Sequence, residues 1–339
     1  MKAMLLEQLV SVDSCDRPLR EADIPKPVPR AGEICIAVSA CGVCHTELDE
    51  IEGRTAPPSL PVVPGHEVVG RVDSVGASAK RFQPGDRVGV GWIHSSDGSD
   101  GENLSGKFVA TGRDVNGGYA EFMTVNENYA YPIPHLFSDE EAAPLLCAGA
   151  IGYRALRLCA LQNGDRLGLS GFGGSAHIVL QLARHLYPKS EIYVFARDAE
   201  SRKFATELGA DWAGAIESRS PAMLNAIIDT TPAWTPLVSA LANLAPGGRL
   251  VINAIRKEDA DKSALLKLSY HEHLWMEREI KSVANITRQD IAEFLPLAAE
   301  IPIRPEIRVY ALADANEALV SLKRESVRGA KVLKIGSGL

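Results

Sequence analysis

The chain has no surplus of positive charge: 36 Lys and Arg stand against 43 Asp and Glu, a formal net charge of −7. That balance argues against a general affinity for nucleic-acid backbones or anionic membrane surfaces. The basic residues are also spread along the chain rather than clustered. No window holds 18 uninterrupted apolar residues, so no membrane-spanning helix is expected. The opening MKAMLLEQLV carries Glu7 inside its only apolar stretch and so lacks the apolar centre of a secretory signal. Cysteine is scarce as well: Cys15, Cys35, Cys41, Cys44, Cys147 and Cys159 are the only six in 339 residues. With no export signal, this usage suggests reduced thiols in a cytosolic protein.

What is present begins with CGVCHTELDE at residues 41–50. Cys-x-x-Cys-His can attach c-type haem, and a bare Cys-x-x-Cys can be a dithiol redox pair. Either cysteine can instead be one ligand of a zinc site completed from elsewhere in the chain. Free cysteines are also ordinary small buried hydrophobes. Haem attachment normally follows export, which puts that reading last. Spacing alone leaves the other three open.

At this length two domains are expected. Up to about residue 135 the runs GEICIAVSA, HEVVGRVDSVG, RVGVGWI and YAEFMTV read as strands, and PRAGE, QPGDR and DVNGGY as turns between them. The sum is a β-rich, partly barrel-like domain. From about residue 150, DRLGLSG, EIYVFA, AIIDTT and GRLVINA read as strands alternating with the helices SAHIVLQLARHL, AESRKFATELGA and TPLVSALANLA. That alternation means βαβ units and a parallel sheet. RQDIAEFLPLAAE reads as a further helix, and AKVLKI as a last strand able to return to the first domain.

LSGFGGSAH sets Gly171-x-Gly173-x-x-Ala176 directly after an expected strand and before an expected helix, with Gly174 in the same loop. The first glycine permits a tight turn, and the second lets backbone approach a pyrophosphate. The small third residue packs helix on strand, while the helix N-terminus supplies N–H donors. At the tip of the next strand stand Ala196, Arg197 and Asp198. A cation there without an acid suits the 2′-phosphate of NADP, so Arg197 favours NADP. Asp198 keeps NAD open as the alternative, since a shift of one residue would bring it to the ribose.

Beyond Cys44, candidate metal ligands are His66 and Glu67 in PVVPGHEVVG and the isolated Cys147 in APLLCAGAIGY. Two cysteines and one histidine leave a fourth position open, the composition of a catalytic zinc site. The segments GVCHTEL, PGHEVVGRVDSVG, PGDRVGVGW, NGGYAEF, APLLCAG, GFGGSAH, ATELGAD and LWMEREIKSVANITR follow one another in order. Over nearly its whole length the chain therefore resembles the zinc-dependent alcohol dehydrogenases of the medium-chain dehydrogenase/reductase family. The resemblance implies an α/β protein, a GroES-like catalytic domain (1–147 and 291–339) joined to a Rossmann dinucleotide-binding domain (148–290). It implies catalytic zinc on Cys44, His66 and Cys147, with Glu67 beside the metal. Thr46 would hydrogen-bond the substrate oxygen, His45 lie near the pyrophosphate and Trp92 wall the substrate pocket, leaving Cys41 as a packed thiol. Primary alcohols or the matching aldehydes as small-molecule substrates, and a homodimer or homotetramer, follow from the same likeness, and the cysteine usage places the protein in the cytoplasm.

Three positions depart from the family's pattern. Many relatives hold a second, structural zinc on four cysteines in the loop after the tryptophan. Here that loop, WIHSSDGSDGENLSGKF, has none, and Ser105 stands where the last ligand would be. One zinc per chain is expected, with a more mobile loop unless an oligomer contact covers it. The histidine that often ends the proton relay is Asp49, a replacement acceptor or merely a surface carboxylate, and the aspartate after the threonine is Glu47. The arginine expected near the C-terminus falls at Ala330, between Arg328 and Lys331, and neither is assigned. His271 and His273, two apart on an expected helix, do not face one point and are structural or surface residues. Cys15, Cys35 and Cys159 are expected as buried thiols, and Asp86 as a turn residue. A zinc-free quinone or enone reductase of the same superfamily would lack the Cys, His and Cys set. A non-catalytic nucleotide-binding protein would have no reason to keep it.

Overall fold

Glu33–Val43 is the spine of the first sheet. Its Ile34, Ile36 and Val38 are buried, as β-branched side chains on a pleated surface should be. The computed structural model describes residues 1–325 and 328–336. The chain divides into two compact units, Met1–Ala150 with Ile286–Leu339, and Ile151–Asn285.

In the first unit the strand order is Ile307–Ala311, Ala330–Lys334, Glu33–Val43, Val68–Val75, Arg87–Val90, Ala130–Pro132, with Phe122–Asn126 also paired to Glu33–Val43. Ala330–Lys334 runs antiparallel to the spine, placing Lys331 opposite Val43 and Lys334 opposite Ala40. Gly32 and Gly85 turn the chain at φ +77° and +95°, conformations that favour glycine. Asp86 is the expected turn residue, its Oδ2 accepting the Gln83 N–H at 2.8 Å.

The second unit is a six-stranded sheet in the order Trp212–Gly214, Glu191–Phe195, Arg166–Ser170, Leu224–Asp229, Leu244–Ile252, Glu279–Ser282, parallel throughout. The strand order reverses at Arg166–Ser170, which defines the ligand crevice of doubly wound sheets. Helices Ala176–Leu186, Ala199–Glu207 and Trp234–Leu241 connect the strands. His271 and His273 fall in a single π-helical turn, Tyr270–Leu274, rather than an α-helix. His273 is buried against Ser269, whereas His271 is exposed beside Tyr270 and Trp275. Cys35 and Cys159 are buried, but Cys15 is only half-buried, because the segment around it lies at the surface.

Candidate active site

Strand pairing brings distant residues together in the first unit. Cys41 stands opposite Val68, so the chain leaving one strand at Cys44 passes the chain entering the other at His66 and Glu67. Cys147 joins them from the junction between the 3₁₀ turn Ala143–Leu146 and the helix Ala148–Leu158. The ligand atoms of Cys44, His66, Glu67 and Cys147 lie within 4.8 Å of one another. Cys41 is fully buried and outside this group.

Glu47 binds the cluster together. Its Oε2 accepts the Cys44 N–H at 2.8 Å in a capping box on the helix His45–Ile51, and its Oε1 lies 2.6 Å from His66 Nδ1. Sequence reasoning noted Glu47 only as a replaced aspartate. Its position three residues after Cys44, where a helix cap needs an acid, was the available signal. Gly42 is the counterpart for Glu67: a Cβ there would fall 1.7 Å from Glu67 Oε2.

The electrostatics are those of a crowded, dry pocket of acids. The neighbouring Cys147 thiol and the His66 imidazole hold Cys44 well below the ordinary thiol range. Cys147 is pushed well above it, by Cys44 first and by burial second. Burial pushes Glu67 well above the usual carboxylate range. Burial opposes a charged His66, yet Glu47 and Cys44 outweigh it and raise the imidazole well above its ordinary value. Buried thiols, carboxylate and imidazole in such proximity are costly unless a cation balances them. This donor set fits zinc.

Around the cluster, Thr46 is buried with its Oγ1 3.5 Å from Cys44 Sγ, whereas His45 is exposed. Trp92 is buried, with Phe108 at 5.2 Å and the Arg113 guanidinium over its ring at 5.1 Å. Asp49 is not a surface carboxylate. It is 3% exposed, and Arg54 Nε donates to its Oδ1 at 2.6 Å.

The loop after Trp92 is held by chemistry the sequence did not advertise. Glu102 is buried and accepts the Tyr129 hydroxyl at 2.8 Å and the Arg288 backbone N–H at 2.6 Å. The Arg288 side chain pairs with Glu102 at 3.4 Å, donates to Gly98 O at 2.6 Å and lies over the Tyr129 ring at 5.2 Å. Ser105 Oγ closes the turn by donating to Glu102 O. These contacts anchor the loop within its own unit.

In the second unit Gly171 takes φ +85°, and a Cβ on it would meet Thr230 Oγ1 at 2.7 Å. Gly173 faces open space, Gly174 follows it, and Ala176 is fully buried at the start of its helix. The loop therefore presents bare backbone beside a helix N-terminus, a cradle of the kind a pyrophosphate fits. Arg197 is exposed at the next strand tip. Asp198 is spent capping Ala199–Glu207, accepting Ser201 N–H at 2.7 Å and Ser201 Oγ at 2.8 Å. Arg202, which sequence reasoning passed over, donates to Ala196 O and Arg197 O at 2.8 Å each. Near the C-terminus, Lys331 is buried against Ser321 and Tyr310, and Arg328 pairs with Glu306 at 3.0 Å.

Comparison with known proteins gives a consistent picture. Residues 30–135 match the alcohol dehydrogenase GroES-like domain. A probable alcohol dehydrogenase, AdhA, of Mycobacterium tuberculosis is 42% identical over 323 residues, covering 92% of this chain and 91% of that protein. An alcohol dehydrogenase of Geobacillus stearothermophilus is 30% identical over 354 residues, covering 99% and 100%. Among solved structures, a cinnamyl alcohol dehydrogenase of Sorghum bicolor superposes with a TM-score of 0.84 at 26% identity, covering 100% of this chain and 98% of the other.

Proposed function

Because the chain belongs to the medium-chain dehydrogenase/reductase family and is an NAD(P)-dependent alcohol dehydrogenase, we propose that it interconverts primary alcohols and aldehydes at a zinc site built from Cys44, His66 and Cys147. The observation that carries this is the gathering of those donors with Glu67 within 4.8 Å. A zinc ion held by these residues would supply Lewis acidity to a substrate oxygen, and a bound nicotinamide cofactor would supply the hydride chemistry.

The chain's own residues do the rest. Cys44 and Cys147, as thiolates, would hold the ion. Glu47 against His66 Nδ1 orients the ring so that Nε2 is left for the metal, and removal of such a partner typically weakens binding. Thr46 would pass the proton released by the alcohol towards the cofactor's ribose hydroxyls and solvent, with Asp49, whose carboxylate Arg54 fixes in place, as the acceptor at the end of that relay. Trp92 and Phe108 keep water from the substrate. Arg197, with Arg202 bracing the same tip, favours NADP over NAD. The edge strand Glu279–Ser282, exposed along its length with Trp275 and Met276 beside it, supports pairing of two copies into a homodimer or a larger homotetramer. Reduced thiols as metal ligands suit a cytoplasmic setting.

The test is an aldehyde panel assayed with NADH and NADPH on protein of measured metal content. One zinc per chain, turnover lost on chelation and restored by zinc, and preference for NADPH are expected. Turnover indifferent to chelation would overturn the metal reading, and two tightly held zinc ions would overturn the single-site reading.

A further inference from the structure

One buried polar atom of the second unit has no part in anything above. Asn253 directly follows the strand Leu244–Ile252 and is 8% exposed. Its backbone N–H donates to Asp229 O at 2.7 Å, tying it to the tip of the neighbouring strand. Its Nδ2 donates to Ser175 Oγ at 3.2 Å, beside the glycine loop and at the start of Ala176–Leu186. Its Oδ1 is buried and accepts no hydrogen bond from any described residue. A sequestered amide oxygen without a donor is uncommon and unfavourable. Its position is the carboxyl end of a strand beside the reversal of strand order, where open α/β sheets bind their ligands.

We propose that Asn253 is a cofactor contact whose Oδ1 accepts a hydrogen bond from the nicotinamide–ribose half of the bound dinucleotide. The inference rests on the dinucleotide reading of the glycine loop. Sheet order selects the half. Such a sheet has two halves, each taking one mononucleotide. Glu191–Phe195, leading to Arg197, lies on one side of Arg166–Ser170, and Leu224–Asp229 and Leu244–Ile252 lie on the other. Ligand chemistry agrees. Ionised phosphates carry only acceptors, so they cannot satisfy an amide oxygen. The nicotinamide–ribose half offers ribose hydroxyls and a carboxamide N–H. Nothing in the sequence flags the residue, since an asparagine after a strand is ordinary turn chemistry.

The test is equilibrium binding to the zinc-loaded, full-length protein, followed by protein fluorescence and so independent of turnover. The ligands are the preferred dinucleotide, its 3-acetylpyridine analogue without the amide N–H, ADP-ribose without the nicotinamide, and ADP without the second ribose. All are used in the 2′-phosphorylated series if NADPH binds tighter. Asn253→Leu should weaken the dinucleotide about tenfold, the size of one lost hydrogen bond, and leave ADP unchanged. If the donor is the carboxamide, the analogue binds wild type and variant alike. If it is a ribose hydroxyl, ADP-ribose weakens along with the dinucleotide. Asn253→Ser serves as a smaller truncation should the leucine misfold. Ser175→Ala, which removes the partner of Nδ2 but keeps Oδ1, should preserve the advantage of the dinucleotide over ADP. Equal weakening of all four ligands would make Asn253 a brace of the loop and overturn the contact, as would an unchanged dinucleotide affinity. A wild-type protein that binds none of the four overturns the dinucleotide reading itself, and the contact with it.

Discussion

Two places in the first unit bury charge equally deeply and to opposite ends. Glu67, in the cluster with Cys44, His66 and Cys147, is 3% exposed, and Glu102, in the loop after Trp92, is 1% exposed. Depth does not tell them apart; the company does. Glu102 has a guanidinium, a backbone N–H and a phenol on the chain itself, so its charge is answered internally. Glu67 sits among two thiols and an imidazole already drawn towards Glu47, and pairs with no arginine or lysine among the described residues. A buried charge with its opposite at hand is a joint. One without it is a site, awaiting a partner from solution.

The contrast can be broken most violently from the cluster side. Cys147→Ser should abolish stoichiometric zinc and lower aldehyde reduction by more than about a hundredfold, beyond the effect of losing a supporting group, checked by metal analysis and NADPH-linked assay. Glu47→Gln leaves all the donors in place and should weaken zinc about 10–100-fold, read by competition with a chelator. Glu102→Ala should cost about 2 kcal/mol in denaturant unfolding while zinc content stays at the wild-type value. A loss of zinc in that variant would erase the distinction between joint and site. The smallest effect lies in alkali. Burial and then Glu102 push the Tyr129 hydroxyl up to about 12. A raised phenol stabilises the fold fully below its ordinary value of about 10 and loses that contribution as pH climbs through the folded value. Tyr129→Phe should therefore flatten the alkaline limb of stability between those two pH values, measured by thermal melts, without moving zinc affinity.

Much of this was legible in the sequence, for local reasons. Val, Ile and turn residues at short range marked the strands, and Gly171 and Gly173 sat between a strand and a helix. The meeting of Cys44, His66 and Cys147 was not readable from spacing. It depends on antiparallel pairing such as Cys41 with Val68 and on where a 3₁₀ turn ends, and only resemblance to a family suggested it. The Glu102 joint was invisible because Arg288 lies 186 residues away. Asp49 was ambiguous because a sequence gives no exposure for a charged residue near a helix end, whereas the fold buries it and pairs it with Arg54.

Ala330–Lys334 lies against the strand that delivers Cys44, and this orders events during synthesis. All six strands of the parallel sheet have been synthesised once residue 285 is reached, so that half can fold while the rest of the chain is made. The first unit, by contrast, lacks one of its sheet strands until residues 330–334 have been made. Deleting residues 330–334 would therefore cost the first unit the strand beside the one that delivers Cys44, and leave all six strands of the parallel sheet in the chain.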